Sequence, residues 1–390
     1  MNNLTEITKH DFLKKHQQIT DDNAERTEKY KSFYRLAEEK GVVPFRFERI
    51  AEEYTNDYFA ETGIDRSEKE WFYERGFASY KVNWYGMTKN NYKDFIYDFD
   101  FYSPKNYSKN RFLITWFDYK LTTYYVLGSF RKYMPRHFFY ITNGELAPMD
   151  TELKRYGNVN DVQGILEETP IALKSCLGGH GKGFYKIQKD GNGYAINNIY
   201  ATEHDVRNLI SSLDDYILTE FGIPHKIFRK ACGENRFAVL RTVSVFDKTD
   251  GPQITAILLR LGSSASGLVT DYDGCVNCGV DLLTGRLFNP LLRSGDAEGI
   301  IKGMPIKIHP DTGVDLETIT VPNFNQLVNL LKKISAYLSM TPYLVMDIIP
   351  TDLGFEILEI NSHGQVRNLE PFFPFRKNKY NTNVFWTRDW

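Results

Sequence analysis

The hydrophobic rhythm of the chain changes near residue 150. Before about residue 100 it reads as helical and charged. "TEKYKSFYRLAEEKG" (27–41) is typical and closes on Gly41 as a helix-terminating glycine. Residues 110–142 alternate short strand-like runs with a helix. Beyond 150, strand-forming runs recur between turn signals: "IALKS" (171–175), "GFYKIQ" (183–188), "DYILTEF" (215–221), "RFAVLRTVSVF" (236–246), "QITAILLRLG" (253–262), "YLVMDII" (343–349) and "FEILEIN" (355–361). Two helical patterns interrupt them. "TEHDVRNLISSL" (202–213) opens with Thr202 and Asp205 in capping positions. "NFNQLVNLLKKISAYL" (323–338) spaces Leu327, Leu330, Leu331, Ile334 and Leu338 as one core-facing stripe. No internal repeat or low-complexity linker breaks the pattern.

Between two of the strand-like runs lies "IALKSCLGGHGKGFYKI" (171–187), where Gly178, Gly179, Gly181 and Gly183 fall within six positions. Glycine at that density costs backbone entropy on folding, so a bare backbone there implies a close approach by something else. The loop is not a Walker phosphate loop, because Lys182 is followed by Gly183 rather than Ser or Thr. Nor does it open a helix, as a dinucleotide fingerprint must, since Phe184 and strand-forming residues follow. It reads as a flap joining two strands. Backbone N–H groups in such a flap can close over phosphates, aided by Lys182 or His180, with Lys174 reaching a phosphate as a point charge. The competing reading is a plain surface hairpin.

The run "YLVMDIIPTDLGFEILEINSHG" (343–364) reads as a β-hairpin turning at Pro350–Gly354. With the turn centred on Leu353, Ile349 opposes Ile357, Asp347 opposes Glu359 and Val345 opposes Asn361. Two carboxylates then face each other in an otherwise apolar hairpin, an arrangement that repulsion and burial both disfavour. A divalent cation would relieve it. Two carboxylates and an amide oxygen form an all-oxygen set suited to Mg²⁺ or Mn²⁺, with phosphates completing the shell. The alternative is that one carboxyl is protonated or turned to solvent.

Composition adds limits rather than direction. The 390 residues carry 48 basic and 50 acidic side chains, a formal net charge of −2, so no overall field favours nucleic acid or an anionic membrane. Aromatics make up 15%, many of them in the first 150 residues, which suggests aromatic packing. No run approaches the roughly 18 apolar residues of a membrane span, and no apolar signal core opens the chain. A cytoplasmic protein without a membrane span is the expectation. Four Cys are too few for a disulfide scaffold, and Cys275-Val-Asn-Cys278 has no companion pair, so reduced thiols are expected.

Flap and carboxylate hairpin together resemble the ATP-grasp superfamily, most closely its sugar-transfer-associated, α-L-glutamate ligase-like branch. The resemblance is carried by "IALKSCLGGHGKGF", "YILTEFG", "RFAVLRTVSVF", "LLRLG", "HPDTGV" and "LVMDIIPTDLGFEILEIN". "WFDYKLTTYYVL" (116–127) is similar to the family's segment ahead of the ATP-grasp core, so the likeness covers roughly residues 110–370. It implies an α+β ATP-grasp fold, two α/β subdomains clasping ATP, behind a helical, aromatic-rich N-terminal region. The implied divisions are a helical region at 1–109, a pre-ATP-grasp segment at 110–150, a small subdomain with the flap at 151–222, a large subdomain with the metal site at 223–370, and a tail at 371–390.

Residue by residue, the resemblance implies that Lys174 and Lys120 contact the α/β-phosphates. Gly178, Gly179, His180, Gly181, Lys182 and Gly183 would close over the β/γ-phosphates. Glu220, Phe221 and Gly222 would form the hinge that reads adenine, and Asp347, Glu359 and Asn361 would hold one or two Mg²⁺ ions. Arg241 and Arg260 would face the acyl phosphate or acceptor carboxylate, and Lys182 would join them as a catalytic residue. An acid for the ribose normally follows the hinge closely, whereas Glu234 comes 14 residues after Glu220. Residues 262–280 match the family only loosely.

The activity implied is ATP-dependent carboxylate–amine ligation through an acylphosphate, joining an amino acid or amine to a sugar acid in surface-polysaccharide assembly. Its partners would be small-molecule or glycan-linked carboxylates and amines, with no nucleic acid. Two other classes share the same parts: an ATP-grasp kinase acting on a hydroxyl, and a nucleotide-binding protein without turnover.

Overall fold

Strand-forming runs beyond residue 130 assemble into two sheets, and the charged, aromatic region before them into helices. The computed structural model describes residues 24–110, 113–149, 159–177, 183–266, 274–295 and 301–388. Gly178, Gly179, His180, Gly181 and Lys182 therefore lie outside the described residues. The chain divides into two compact units, one formed by Met1–Lys109, Ser294–Gly303 and Glu370–Trp390, the other by Asn110–Arg293 and Met304–Leu369.

The first unit is helical, with Ala24–Glu39, Phe47–Phe59 and Arg66–Glu74 as its longest elements. Gly41 ends the first helix at φ +65°, and Val42 N–H closes back on Ala37 O at 3.1 Å, the pattern expected of a left-handed cap. Its aromatics form the core: the Phe33 ring lies 5.6 Å from Tyr54 and 4.9 Å from Tyr73. The buried Asp57 accepts from Tyr73 Oη at 2.9 Å and Tyr80 N–H at 3.1 Å. The C-terminal segment belongs to this unit and is bonded into it. Glu370 accepts from Ile96 N–H at 3.0 Å, and Arg388 Nε donates to Asp100 at 2.6 Å.

The second unit contains the smaller sheet and most of the larger one. The smaller is built from β1 (His137–Thr142), β2 (Glu145–Pro148), β3 (Ile171–Ser175), β4 (Tyr185–Asp190), β5 (Gly193–Ile196), β6 (Ile199–Ala201) and β7 (Tyr216–Glu220), ordered β2-β1-β7-β3-β4-β5-β6. Residues 137–148, within the expected pre-ATP-grasp segment at 110–150, supply two of its strands. Val162 and Leu166 of helix Val159–Glu168, and Val206 and Ile210 of helix Glu203–Ser211, join its core. The second of these helices carries the expected capping box, Thr202 N–H donating to Asp205 at 2.8 Å.

The larger sheet contains β8 (Ala238–Asp247), β9 (Gly251–Leu261), β10 (Val276–Val280), β11 (Leu287–Gly295), β12 (Ile301–Pro305), β13 (Tyr343–Thr351) and β14 (Gly354–Asn361), ordered β12-β11-β10-β9-β8-β13-β14. Helix Phe324–Tyr337 buries the predicted stripe of Leu327, Leu330, Leu331 and Ile334 against it. The same core takes Leu240, Ile257, Leu259, Leu344, Met346, Ile348, Ile357 and Ile360. Side chains alternate across a strand, so the opposite face of the sheet receives Arg241, Arg260, Asp347 and Glu359. The sheet is apolar where the helix covers it and charged on the other side. Cys275 and Cys278 are buried in different apolar clusters, as free thiols.

Candidate functional site

The hairpin of β13 and β14 turns through two residues, Asp352 and Leu353, with Thr351 paired to Gly354. Gly354 has φ +142°, a conformation that suits glycine. From this turn Ile349 pairs with Glu356 and Ile348 with Ile357. The register then shifts by one at a β-bulge, after which Asp347 pairs with Glu359 and Val345 with Asn361. The expected pairing of Ile349 with Ile357 is therefore corrected. The turn is one residue shorter than strict alternation from Leu353 implies, and the bulge at Leu358 supplies that residue further along. The two carboxylates face each other as read, while Glu356, Glu359 and Asp347 come to share a face.

Asp347 does not stand alone. Its partner on β8 is Arg241, whose Nη1 lies 3.2 Å from Oδ1 and 3.0 Å from Oδ2. From β9, Arg260 Nη2 reaches Oδ1 at 3.1 Å. Asp347 and Arg260 have side chains only 8% and 4% exposed, so this is a desolvated, hydrogen-bonded charge cluster. Glu359 is held differently. Burial, then the charge of Asp347, pushes its carboxyl above the usual carboxylate range, against the pull of Lys120. Asn361 Nδ2 donates to its Oε1 at 3.2 Å. Among the described residues no group of three or more His, Cys, Asp or Glu is placed to hold a metal ion. The donors here are two carboxylates and one amide.

The smaller sheet supplies Lys174, and the helix that begins at Lys120 a second cation, within electrostatic reach of this face. Lys174 sits near the end of β3, where burial lowers its ammonium to about 8. Glu359 and Glu356 oppose that shift and Lys120 adds to it, so all four belong to one electrostatic neighbourhood. Lys120 is fixed by its Nζ donating to Ser175 O at 3.0 Å and its backbone N–H donating to Cys176 O at 3.1 Å. Two residues earlier, Asp118 accepts from Ser362 N–H at 2.9 Å, which ties this segment to the end of β14.

The glycine loop joins β3 to β4, which pair antiparallel through Ile171–Ile187 and Leu173–Tyr185, so it is a hairpin connection as its sequence implied. Gly183 re-enters the sheet at φ +69°. At the root of the loop, Cys176 N–H donates to Asp215 O at 2.9 Å, and the Asp215 carboxylate accepts from both Tyr119 and Tyr140 hydroxyls.

The segment expected to act as the hinge, Glu220–Gly222, lies at the end of β7. Glu220 N–H donates to Arg136 O at 2.8 Å and Phe221 N–H to Pro170 O at 2.9 Å. Lys186 places its Nζ 4.7 Å from the centre of the Phe221 ring. Gly222 lies so close to β13 and β14 that a Cβ on it would fall 2.6 Å from Glu356 Oε2 and 2.9 Å from Ile349 Cδ1. Glu234, the candidate ribose acid, has an exposed side chain paired with Arg229 at 2.9 Å. Within "HPDTG", His309 Nε2 lies 3.1 Å from Gly262 O and Asp311 accepts from Ser264 N–H at 2.6 Å, so the motif fixes the loop after β9.

Sequence reasoning missed Glu356 and Lys186. Alternation alone puts Glu356 on the face away from Glu359, and only the bulge reverses this. Lys186 carried no motif signal; its place opposite Phe221 follows from strand order.

A family model described as sugar-transfer associated ATP-grasp matches residues 100–370. No curated protein sequence matches the chain. Among solved structures, an ADP complex of N5-carboxyaminoimidazole ribonucleotide synthetase is similar at 12% identity and TM-score 0.33, over 64% of this chain and 45% of that one. The D-alanine–D-alanine ligase of Bacillus anthracis aligns at 11% identity and TM-score 0.32, over 64% of this chain and 58% of that one. The D-alanyl-alanine synthetase A of Vibrio cholerae aligns at 12% and 0.36, over 70% and 60%. The chain thus spans about half the length of the solved structures it matches.

Proposed function

Since the chain belongs to the sugar-transfer associated ATP-grasp family, we propose that it is an ATP-dependent carboxylate–amine ligase, joining an amine or amino acid to a sugar acid. Enzymes of the ATP-grasp family use ATP and divalent metals. The observation that carries the reading is that segment 118–120 ties the end of β3 to the end of β14, Lys120 Nζ donating to Ser175 O at 3.0 Å and Asp118 accepting from Ser362 N–H at 2.9 Å, which puts Lys174 within electrostatic reach of Glu359.

In this reading Lys174 and Lys120 hold the α/β-phosphates as point charges. Gly178 to Gly183 close over the β/γ-phosphates, with Lys182 reaching the transferred group. Glu220, Phe221 and Gly222 seat the base. Asp347, Glu359 and Asn361 would hold Mg²⁺ or Mn²⁺, which neutralises charge on the phosphates. Glu359 suits that role because its ionised form is disfavoured by burial and by Asp347, so a bound cation would restore it. Arg241 and Arg260 orient Asp347 and place positive charge beside the reacting groups. The acceptor carboxylate oxygen attacks the γ-phosphorus as the bond to ADP breaks. The amine nitrogen then attacks the acyl carbon, expels phosphate and loses a proton to form the amide. Excluding water protects the acylphosphate. No side-chain nucleophile is needed.

The test measures ADP release from the purified chain across sugar acids paired with amines and amino acids, with products identified by mass spectrometry. The ligase reading expects release that needs both a carboxylate and an amine, and yields an amide with free phosphate. A stable phosphate ester on a hydroxyl acceptor would make the chain a kinase. Nucleotide binding without ADP release on any acceptor would make it a non-catalytic binder.

A further inference from the structure

Glu356 has no part in the scheme above, yet its surroundings are unusual for a carboxylate. The bulge at Leu358 turns it onto the charged face, paired with Ile349. Its Oε2 is buried and has no hydrogen-bond partner among the described residues. A buried acceptor left unsatisfied costs free energy, and such a group persists where a ligand supplies the donor. Gly222 packs directly against it, since a Cβ there would fall 2.6 Å from Oε2 and 2.9 Å from Ile349 Cδ1. Ile349 belongs to an apolar cluster with Phe237, Val239 and Cys275, against which Leu358 packs. The hinge is therefore bordered by apolar surface carrying one unmet acceptor. That combination fits a flat heterocycle with a donor on its edge better than a hydroxyl-rich sugar.

We propose that Glu356 reads the nucleotide's base, its carboxylate accepting a hydrogen bond from the exocyclic amino group of a 6-aminopurine seated against Glu220–Gly222. This rests on the nucleotide reading above and adds to it the residue that selects the base. An ionised carboxylate only accepts, so a 6-oxopurine would set acceptor against acceptor. Burial, then the charge of Glu220, raises the Glu356 carboxyl to about 7 and Lys174 opposes that shift, so the acceptor form is the one present above neutral pH, where the titrations are made. Gly222 is needed so that the carboxylate can lie against the hinge backbone.

The experiment is calorimetric titration of the full chain with ADP, with inosine diphosphate, and with purine riboside diphosphate, which lacks the 6-substituent. The parent should bind ADP about tenfold more tightly than inosine diphosphate. In Glu356→Gln the amide can offer either an acceptor or a donor, so the preference should shrink to about threefold or less. Affinity for purine riboside diphosphate should stay within about twofold. Gly222→Ala, which displaces the carboxylate without removing it, should narrow the preference in the same way, and thermal melts establish that both variants are folded. An unchanged preference in Glu356→Gln, or equal losses for all three nucleotides, would overturn the assignment while leaving the nucleotide reading intact. A parent chain that binds none of the three would overturn both.

Discussion

Asp347 and Glu359 stand side by side, but their charges are answered differently. Asp347 lies between two guanidiniums at 3.0–3.2 Å, whereas Glu359 has an amide donor and the more diffuse influence of Lys120. Neutralising each should therefore have opposite consequences. Asp347→Asn leaves Arg241 and Arg260 facing each other without their shared anion, and should cost about 3–5 kcal/mol. Glu359→Gln removes a buried like charge, and should leave stability of the metal-free chain within about 1 kcal/mol of the parent or raise it. Urea unfolding of the two variants measures the difference, and equal costs would mean that the arginines do not compensate Asp347. Much of this site was legible in the sequence, because Asp347, Glu359 and Asn361 fall at alternating strand positions. The engagement of Arg241 and Arg260 with Asp347 was not legible, since it depends on β9, β8 and β13 lying side by side in the sheet.

At the scale of elements, legibility followed periodicity. The stripe on helix Phe324–Tyr337 was visible because its 3.6-residue repeat is uninterrupted, and every predicted position on the helix is buried. Leu331→Ala, fully buried against the larger sheet, should cost about 2–5 kcal/mol in urea unfolding while leaving the nucleotide affinity of the folded fraction unchanged. A change in affinity instead would mean that this face and the charged face are coupled. The β13–β14 hairpin shows where periodicity fails. A bulge inserts one residue without altering composition, so the turn reads one residue too long and strict alternation gives no sign that Glu356 joins the charged face. The glycine loop was read correctly as a hairpin connection because strand-forming residues flank it on both sides.

On the scale of the whole molecule, residues far apart in the chain share one neighbourhood. Lys120, Lys174, Glu356 and Glu359 come from a helix, one sheet and the other sheet, all within the second unit. No helix among the described residues is long and apolar enough to cross a membrane. The N-terminal helical unit takes in the C-terminal segment through Glu370, Trp386 and Arg388, a closure that local sequence patterns could not reveal because the partners lie more than 270 residues apart. The central claim is that Lys174 from one sheet and the Glu359 carboxylate from the other hold a nucleotide and its divalent cation together. The most direct test is the magnesium dependence of ADP affinity, measured by calorimetry in the parent and in Glu359→Gln. The parent should bind ADP at least about tenfold more tightly with Mg²⁺ than with a chelator, and Glu359→Gln should lose most of that gain while keeping the metal-free affinity. An undiminished magnesium gain in Glu359→Gln would contradict the account.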